Sequence, residues 1–219
     1  VTVTTAIEGL RSIPALDALL GVGQGRIVQI TLLIIAVLFL IQRAGTSSIG
    51  KAFGPVMMVW FLFLGGLGIY RMGMDLSVLQ ALNPLLALHV LVGPYNKMGI
   101  FILGSVFLAT TGAEALYSDM GHVGKGNIYI SWPLVKICLV LNYLGQGAWL
   151  IQHQNDASLY ELEDLNPFFQ MMPQGIRPVA VLLSTLAAII ASQALITGAF
   201  TMVAEACKLD LLPHMQVIY

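Results

Sequence analysis

Charge is the scarcest property of this sequence. Asp, Glu, Lys and Arg make up 10% of the 219 residues, whereas a soluble domain carries about 25%. With 58% hydrophobic residues and a mean hydropathy of +0.85, the shortage excludes an ordinary soluble domain. It fits an all-α integral membrane protein. Ten Lys and Arg against eleven Asp and Glu leave a net charge of −1. No basic stripe exists to neutralise phosphates, which excludes a nucleic-acid partner. Cysteine is scarce too: Cys138 and Cys207 lie far apart in apolar surroundings without metal-ligand spacing, and read as small buried residues. His89, His153 and His214 stand alone, with no His–Glu–x–x–His pattern and no nucleophile elbow. The chain therefore reads as a non-enzyme without a cofactor. No charged segment leads into an apolar core at the start, so no signal peptide is visible. Val1 opens inside what reads as a helix already under way, and the chain is expected to be an internal piece of a longer protein.

Long apolar runs are what the chain has instead. Val1 to Leu10 reads as the end of a helix carrying Thr2, Thr5 and Glu8. Arg11 to Gly25 is a loop, and its run Gly21–Val22–Gly23–Gln24–Gly25 is a turn, because no strand precedes it as a phosphate loop requires. Five complete spans are expected at about 26–41, 53–70, 98–117, 128–151 and 178–203. The first is apolar on every face, as a membrane helix is. Ala44 to Phe53 is expected as a short polar turn. Gly65, Gly66 and Gly68 in the second span form a smooth stripe suited to close helix packing, with a kink as the alternative. Ser77 to Val92, broken by Asn83–Pro84, is expected as an interfacial or short buried helix. The fourth span holds Pro133 near its start, where proline is tolerated, and Asn142, Tyr143 and Gln146 on a polar later half. The loop at 152–177 carries Asp156, Glu161, Glu163 and Asp164, either a solvated face or a vestibule that gathers cations. Phe168 and Phe169 are expected at the membrane interface. Lys and Arg fall almost equally on the two sides, so orientation is not settled by charge.

The stretch Ala109 to His122 is the most informative one. It places Thr111, Gly112 and Glu114 within an apolar run of spanning length. A charge at the centre of a spanning helix costs about 2.5–3.5 kcal/mol, so it faces a partner or a watery cavity. Gly112 beside Glu114 suggests a helix broken at that depth, with backbone carbonyls exposed. Thr5–Glu8 and Thr111–Glu114 are both Thr-x-x-Glu tetrads, which put a hydroxyl and a carboxylate on one helical face. Oxygens of this kind replace the water of an alkali cation, and the carboxylate adds the countercharge. With no cation present, low-dielectric surroundings disfavour the charged form, so the same group takes up a proton. The tetrad is also a capping box that opens a helix. For Thr111–Glu114 the two readings are compatible; Glu8 is equally an end-of-helix residue in the headgroup region. Asp119 and His122 read as a solvated span exit or as a proton-release path. Ser192 and Gln193 either line a pathway or hydrogen-bond a neighbouring helix. Thr2 and Asn142 complete the candidate pathway.

Several blocks resemble the Kup/HAK/KT family of potassium uptake transporters. They are Ala6–Ile7–Glu8–Gly9–Leu10, Phe53–Gly54–Pro55–Val56–Met57 with Trp60–Phe61, and Thr111–Gly112–Ala113–Glu114–Ala115–Leu116–Tyr117 through Asp119–Met120–Gly121–His122. Leu141–Asn142–Tyr143–Leu144–Gly145–Gln146–Gly147, Asn166–Pro167–Phe168–Phe169 and Ala191–Ser192–Gln193–Ala194 through Gly198–Ala199–Phe200 continue the series in the family's order. The resemblance implies part of an inverted-repeat transporter core of the LeuT-like, amino acid–polyamine–organocation type. Val1–Leu10 would be the end of helix 3, and the five spans helices 4 to 8. Potassium would enter together with protons through a multi-pass protein of the plasma membrane, the inner membrane in a bacterium. Thr111 and Glu114 on a discontinuous helix 6 would hold potassium, with Gly112 at the break and Thr5 and Glu8 facing the same cavity. The family's helix 1 motif, Gly-Asp-x-Gly-Thr-Ser-Pro-Leu-Tyr, is absent, so only part of the ion site is expected here. The chain alone is expected neither to fold into a working carrier nor to transport. A homodimer is open to the full-length protein.

Two other functions compete. A potassium channel needs a Thr-Val-Gly-Tyr-Gly filter loop, which the sequence lacks. An amino-acid carrier on the same fold binds a substrate carboxylate at a half-helix N-terminus. Glu114 beside that position would repel it.

Overall fold

The computed structural model describes residues 25, 28–33, 35–36, 47–93, 99–109, 125–157 and 166–213. The described residues are almost wholly helical. They form α1 (Ser47–Met72), a 3-10 helix (Leu76–Leu82), α2 (Pro84–Val92), α3 (Gly99–Ala109), α4 (Lys125–Gln152), the single turn α5 (Pro167–Gln170) and α6 (Arg177–Lys208). Residues 28–33 and 35–36 are helical as well. Among the described residues, three helices are long and apolar enough to cross a membrane: Phe53–Met72 within α1, Lys125–Gln152 and Arg177–Lys208. They overlap the second, fourth and last expected spans. The expected helix end at Val1–Leu10, residues 110–117 of the third span, the connection at 119–124 and the acids Glu161, Glu163 and Asp164 lie outside the described residues.

Element boundaries differ from the expectation in one direction. The polar turn expected at 44–53 is helical from Ser47 onward, because a helix keeps its backbone hydrogen bonds after the apolar run has ended. The same extension at α4, which starts at Lys125, moves Pro133 from the helix start into its interior. Pro55 is likewise inside α1. Each proline deprives the carbonyl four residues earlier of its donor, a loss that packed neighbours offset in membrane helices.

The described residues fall into two compact units, one drawn from Val1–Asp75 and Val135–Ala194 and the other from Leu76–Leu134 and Leu195–Tyr219. The first unit contains the main core: Leu67, Trp149, Phe169, Met171, Met172, Ala180 and Val181, flanked by Phe63, Leu150 and Phe168. Its α1–α4 contact is a close crossing. A Cβ on Gly68 would stand 2.2 Å from the Leu141 carbonyl oxygen, and one on Gly145 would stand 2.7 Å from Gly68 Cα. A Cβ on Gly65 would stand 3.1 Å from Cys138 Sγ, while one on Gly66 would meet nothing within 4 Å. Packing thus wins over a kink for Gly65 and Gly68, and Gly66 is not part of it.

The expected interfacial aromatic pair turns inward. Asn166 Oδ1 accepts from the Phe168 amide at 3.2 Å, and Pro167 supplies the first helical residue of α5. This start aims Phe169 into the core, 3% exposed, and sets Phe168 edge-on to Trp60 at 5.8 Å.

In the second unit the same Asn–Pro device opens α2. Asn83 Oδ1 accepts from the Leu85 amide at 3.0 Å, and Gly93 closes the helix with its backbone N–H donating to the His89 carbonyl at 2.8 Å. The break expected at Asn83–Pro84 is therefore a cap. No residue of α2 is buried, whereas Val78 in the preceding 3-10 helix is 4% exposed. The end of α6 is a Schellman turn: the Leu211 amide reaches the Ala206 carbonyl at 3.0 Å, with Asp210 at φ 57°.

Candidate functional site

Of the expected site, Thr2, Thr5, Glu8, Thr111, Gly112, Glu114, Asp119 and His122 lie outside the described residues. Asn142, Ser192 and Gln193 are described, all three in the first unit. Asn142 on α4 is 5% exposed and Gln193 on α6 is equally buried; Ser192 is half-buried. Tyr143, by contrast, points outward at 63% exposure, so the polar later half of α4 divides between the protein interior and the outside.

Most hydroxyls of the spans satisfy themselves locally. Ser184 Oγ and Thr185 Oγ1 both donate to the Val181 carbonyl, at 2.9 and 2.8 Å. Ser131 donates to the Asn127 carbonyl at 2.9 Å, and Thr201 to the Thr197 carbonyl at 3.0 Å. These hydroxyls are tied back to their own helices. Asn142 differs: its buried Oδ1 accepts no hydrogen bond among the described residues. Thr31 is similar, a buried hydroxyl without a hydrogen-bond partner among the described residues. Nothing in the sequence singles out Thr31, a lone hydroxyl flanked by Ile30 and Leu32.

Two arginines, Arg71 at the end of α1 and Arg177 at the start of α6, serve the backbone around α5. Arg71 Nε donates to the Met171 carbonyl, and Arg177 donates through Nε to the Met172 carbonyl at 3.2 Å and through Nη2 to the Gln170 carbonyl at 3.4 Å. Three successive carbonyls at a helix C-terminus, the negative end of its dipole, thus receive charged donors from the end of α1 and the start of α6. The guanidinium of Arg71 also lies 5.6 Å from the Tyr70 ring centroid. Trp149, buried beside this turn, stacks on His153 at 4.5 Å, and His153 Nδ1 is 2.9 Å from the Trp149 carbonyl. Cys138 and Cys207 are both buried, as their apolar surroundings in the sequence lead one to expect.

A family model described as the K+ potassium transporter integral membrane domain matches residues 1–219, every residue of the chain. The chain belongs to this family. Among its curated relatives, the probable potassium transport system protein Kup 1 of Lactococcus lactis is 62% identical over 219 residues. The probable Kup proteins of Enterococcus faecalis and Clostridium perfringens are 59% and 57% identical over the same span. Each match takes in 100% of this chain but only 32–33% of the relative, so the chain spans about a third of the length of these potassium transport proteins. No solved structure matches the chain. The family membership agrees with the resemblance drawn from the Gly112–His122 and Leu141–Gly147 blocks.

Proposed function

We propose that this chain is the middle of a secondary active potassium importer of the plasma membrane, the inner membrane in a bacterium, that takes up potassium together with protons. The observation that carries the potassium reading is the family match over all 219 residues, joined to relatives whose names specify potassium transport. Proton coupling rests on the sequence position of Glu114. A carboxylate at spanning depth beside Gly112 and Thr111 balances a bare cation when one is bound and takes a proton when none is.

The three long helices would be helices 5, 7 and 8 of an inverted-repeat core of LeuT type. Residues 26–41 and 98–117 would supply helices 4 and 6; their described parts, 28–33, 35–36 and Gly99–Ala109, are helical as that assignment requires. Gly112 would be the break, Thr111 and Glu114 the potassium ligands, and Thr5 with Glu8 the facing pair from helix 3. Asp119 and His122 would take the proton out, and Ser192 and Gln193 would line the path.

The test is growth of a potassium-uptake-deficient bacterium at low potassium. The full-length protein should restore growth, and Glu114→Gln should abolish the rescue. Undiminished uptake by Glu114→Gln at both acid and neutral pH would remove Glu114 from the coupling step.

A further inference from the structure

The side-chain oxygen of Asn142 is in an unusual position for a helical polar group. A hydroxyl within a span can donate to a carbonyl three or four residues back, and Ser131, Ser184, Thr185 and Thr201 all do so at 2.8–3.0 Å. An amide oxygen accepts only, and in mid-helix every backbone N–H is already committed to the turn before it. Its partner has to come from another element or from something that is not protein. The adjoining helix offers nothing at this height: residues 64–68 of α1 are Leu, Gly, Gly, Leu and Gly, and the Gly68 main chain lies against Leu141 and the Asn142 amide nitrogen. The oxygen is nonetheless out of contact with solvent and accepts no hydrogen bond among the described residues. Leaving a buried acceptor unmatched is costly, and an apolar residue of the same shape avoids that cost. An asparagine here implies that something electropositive visits.

We propose that Asn142 Oδ1 is an oxygen ligand for the monovalent cation during its passage, a contact of carbonyl type. This inference rests on the potassium-transport reading. An uncharged carbonyl oxygen suits that task, since it replaces one water of a large alkali ion without trapping it.

The experiment compares Asn142→Leu with the unmutated full-length protein, reading potassium uptake kinetics, the ratio of rubidium to potassium uptake, and melting in detergent. Leu keeps the size and removes the oxygen. The expected result is a KM for potassium raised about tenfold, equivalent to about 1.4 kcal/mol, a changed rubidium-to-potassium ratio, and a melting temperature no lower than the parent's. An unchanged KM and ratio would overturn the proposal. So would a lowered melting temperature with transport kinetics intact, which would make the oxygen the acceptor of a structural water. If Asn142→Leu does not accumulate in the membrane, Asn142→Asp decides. The added charge should lower KM and slow turnover, and kinetics like the parent's would overturn the proposal. Failure of the unmutated full-length protein to take up potassium would instead sink the transport reading, and this ligand with it.

Discussion

Arginine and lysine are interchangeable in a count of charges, but not at positions 71 and 177. The guanidinium forks of Arg71 and Arg177 reach three carbonyls in succession, at Gln170, Met171 and Met172. A lysine is a point donor on a flexible stem and cannot serve two carbonyls with fixed geometry. Arg177→Lys should therefore destabilise the protein by about 1–2 kcal/mol and Arg177→Ala by about 2–3 kcal/mol; thermal melting in detergent ranks the three proteins. Phe169→Ala, which empties a core site beneath the same turn, should cost about 3–5 kcal/mol by the same measurement. Neither role was legible in the sequence. Arg71 and Arg177 stand where span-end charges are expected, and the sequence does not say that the carbonyls they serve lie 100 residues away in one case and a few residues away in the other. Phe168 and Phe169 follow an Asn–Pro cap that can be read from sequence, yet the direction in which the cap sends them depends on a core assembled from α1, α4 and α6.

Helices are where the sequence is most readable, and their ends are where it misleads. Apolar windows locate α1, α4 and α6, because a membrane span has to bury its side chains in lipid or protein along its whole length. The same windows stop too early: α1 begins at Ser47, α4 at Lys125, and α6 runs on to Lys208, where Glu205 Oε1 holds the Lys208 Nζ at 2.7 Å. Hydropathy marks the edge of the apolar layer, whereas backbone hydrogen bonding ignores it. The glycine stripe was legible as a packing surface but not residue by residue. Gly68→Ala should separate α1 from α4 and cost about 1–3 kcal/mol through overpacking. Gly66→Ala, facing open space, should be neutral or slightly stabilising. Chemical denaturation of the two variants side by side separates these outcomes, and an equal gain in both would show that helix propensity rather than the crossing decides.

For the molecule as a whole, membership of the potassium transporter family was legible from block order alone, and the family match covers the same residues. The ion site itself was legible only as chemistry: an acid, a hydroxyl and a glycine in an apolar run. Glu114, Thr111 and Gly112 lie outside the described residues, so their geometry adds nothing to that chemistry. Proton coupling makes one further demand. Potassium uptake by the full-length protein should accelerate as the external pH falls and collapse when a protonophore dissipates the gradient; uptake indifferent to both would favour a channel-like permease.

The turn at 170–172 also acts as a keystone. By pinning the last residues of α1 and the first of α6 to one short stretch of backbone, it welds these helix ends into a single rigid corner. In the proposed importer that corner would move as one piece, and the slack for a transport stroke would lie at other joints.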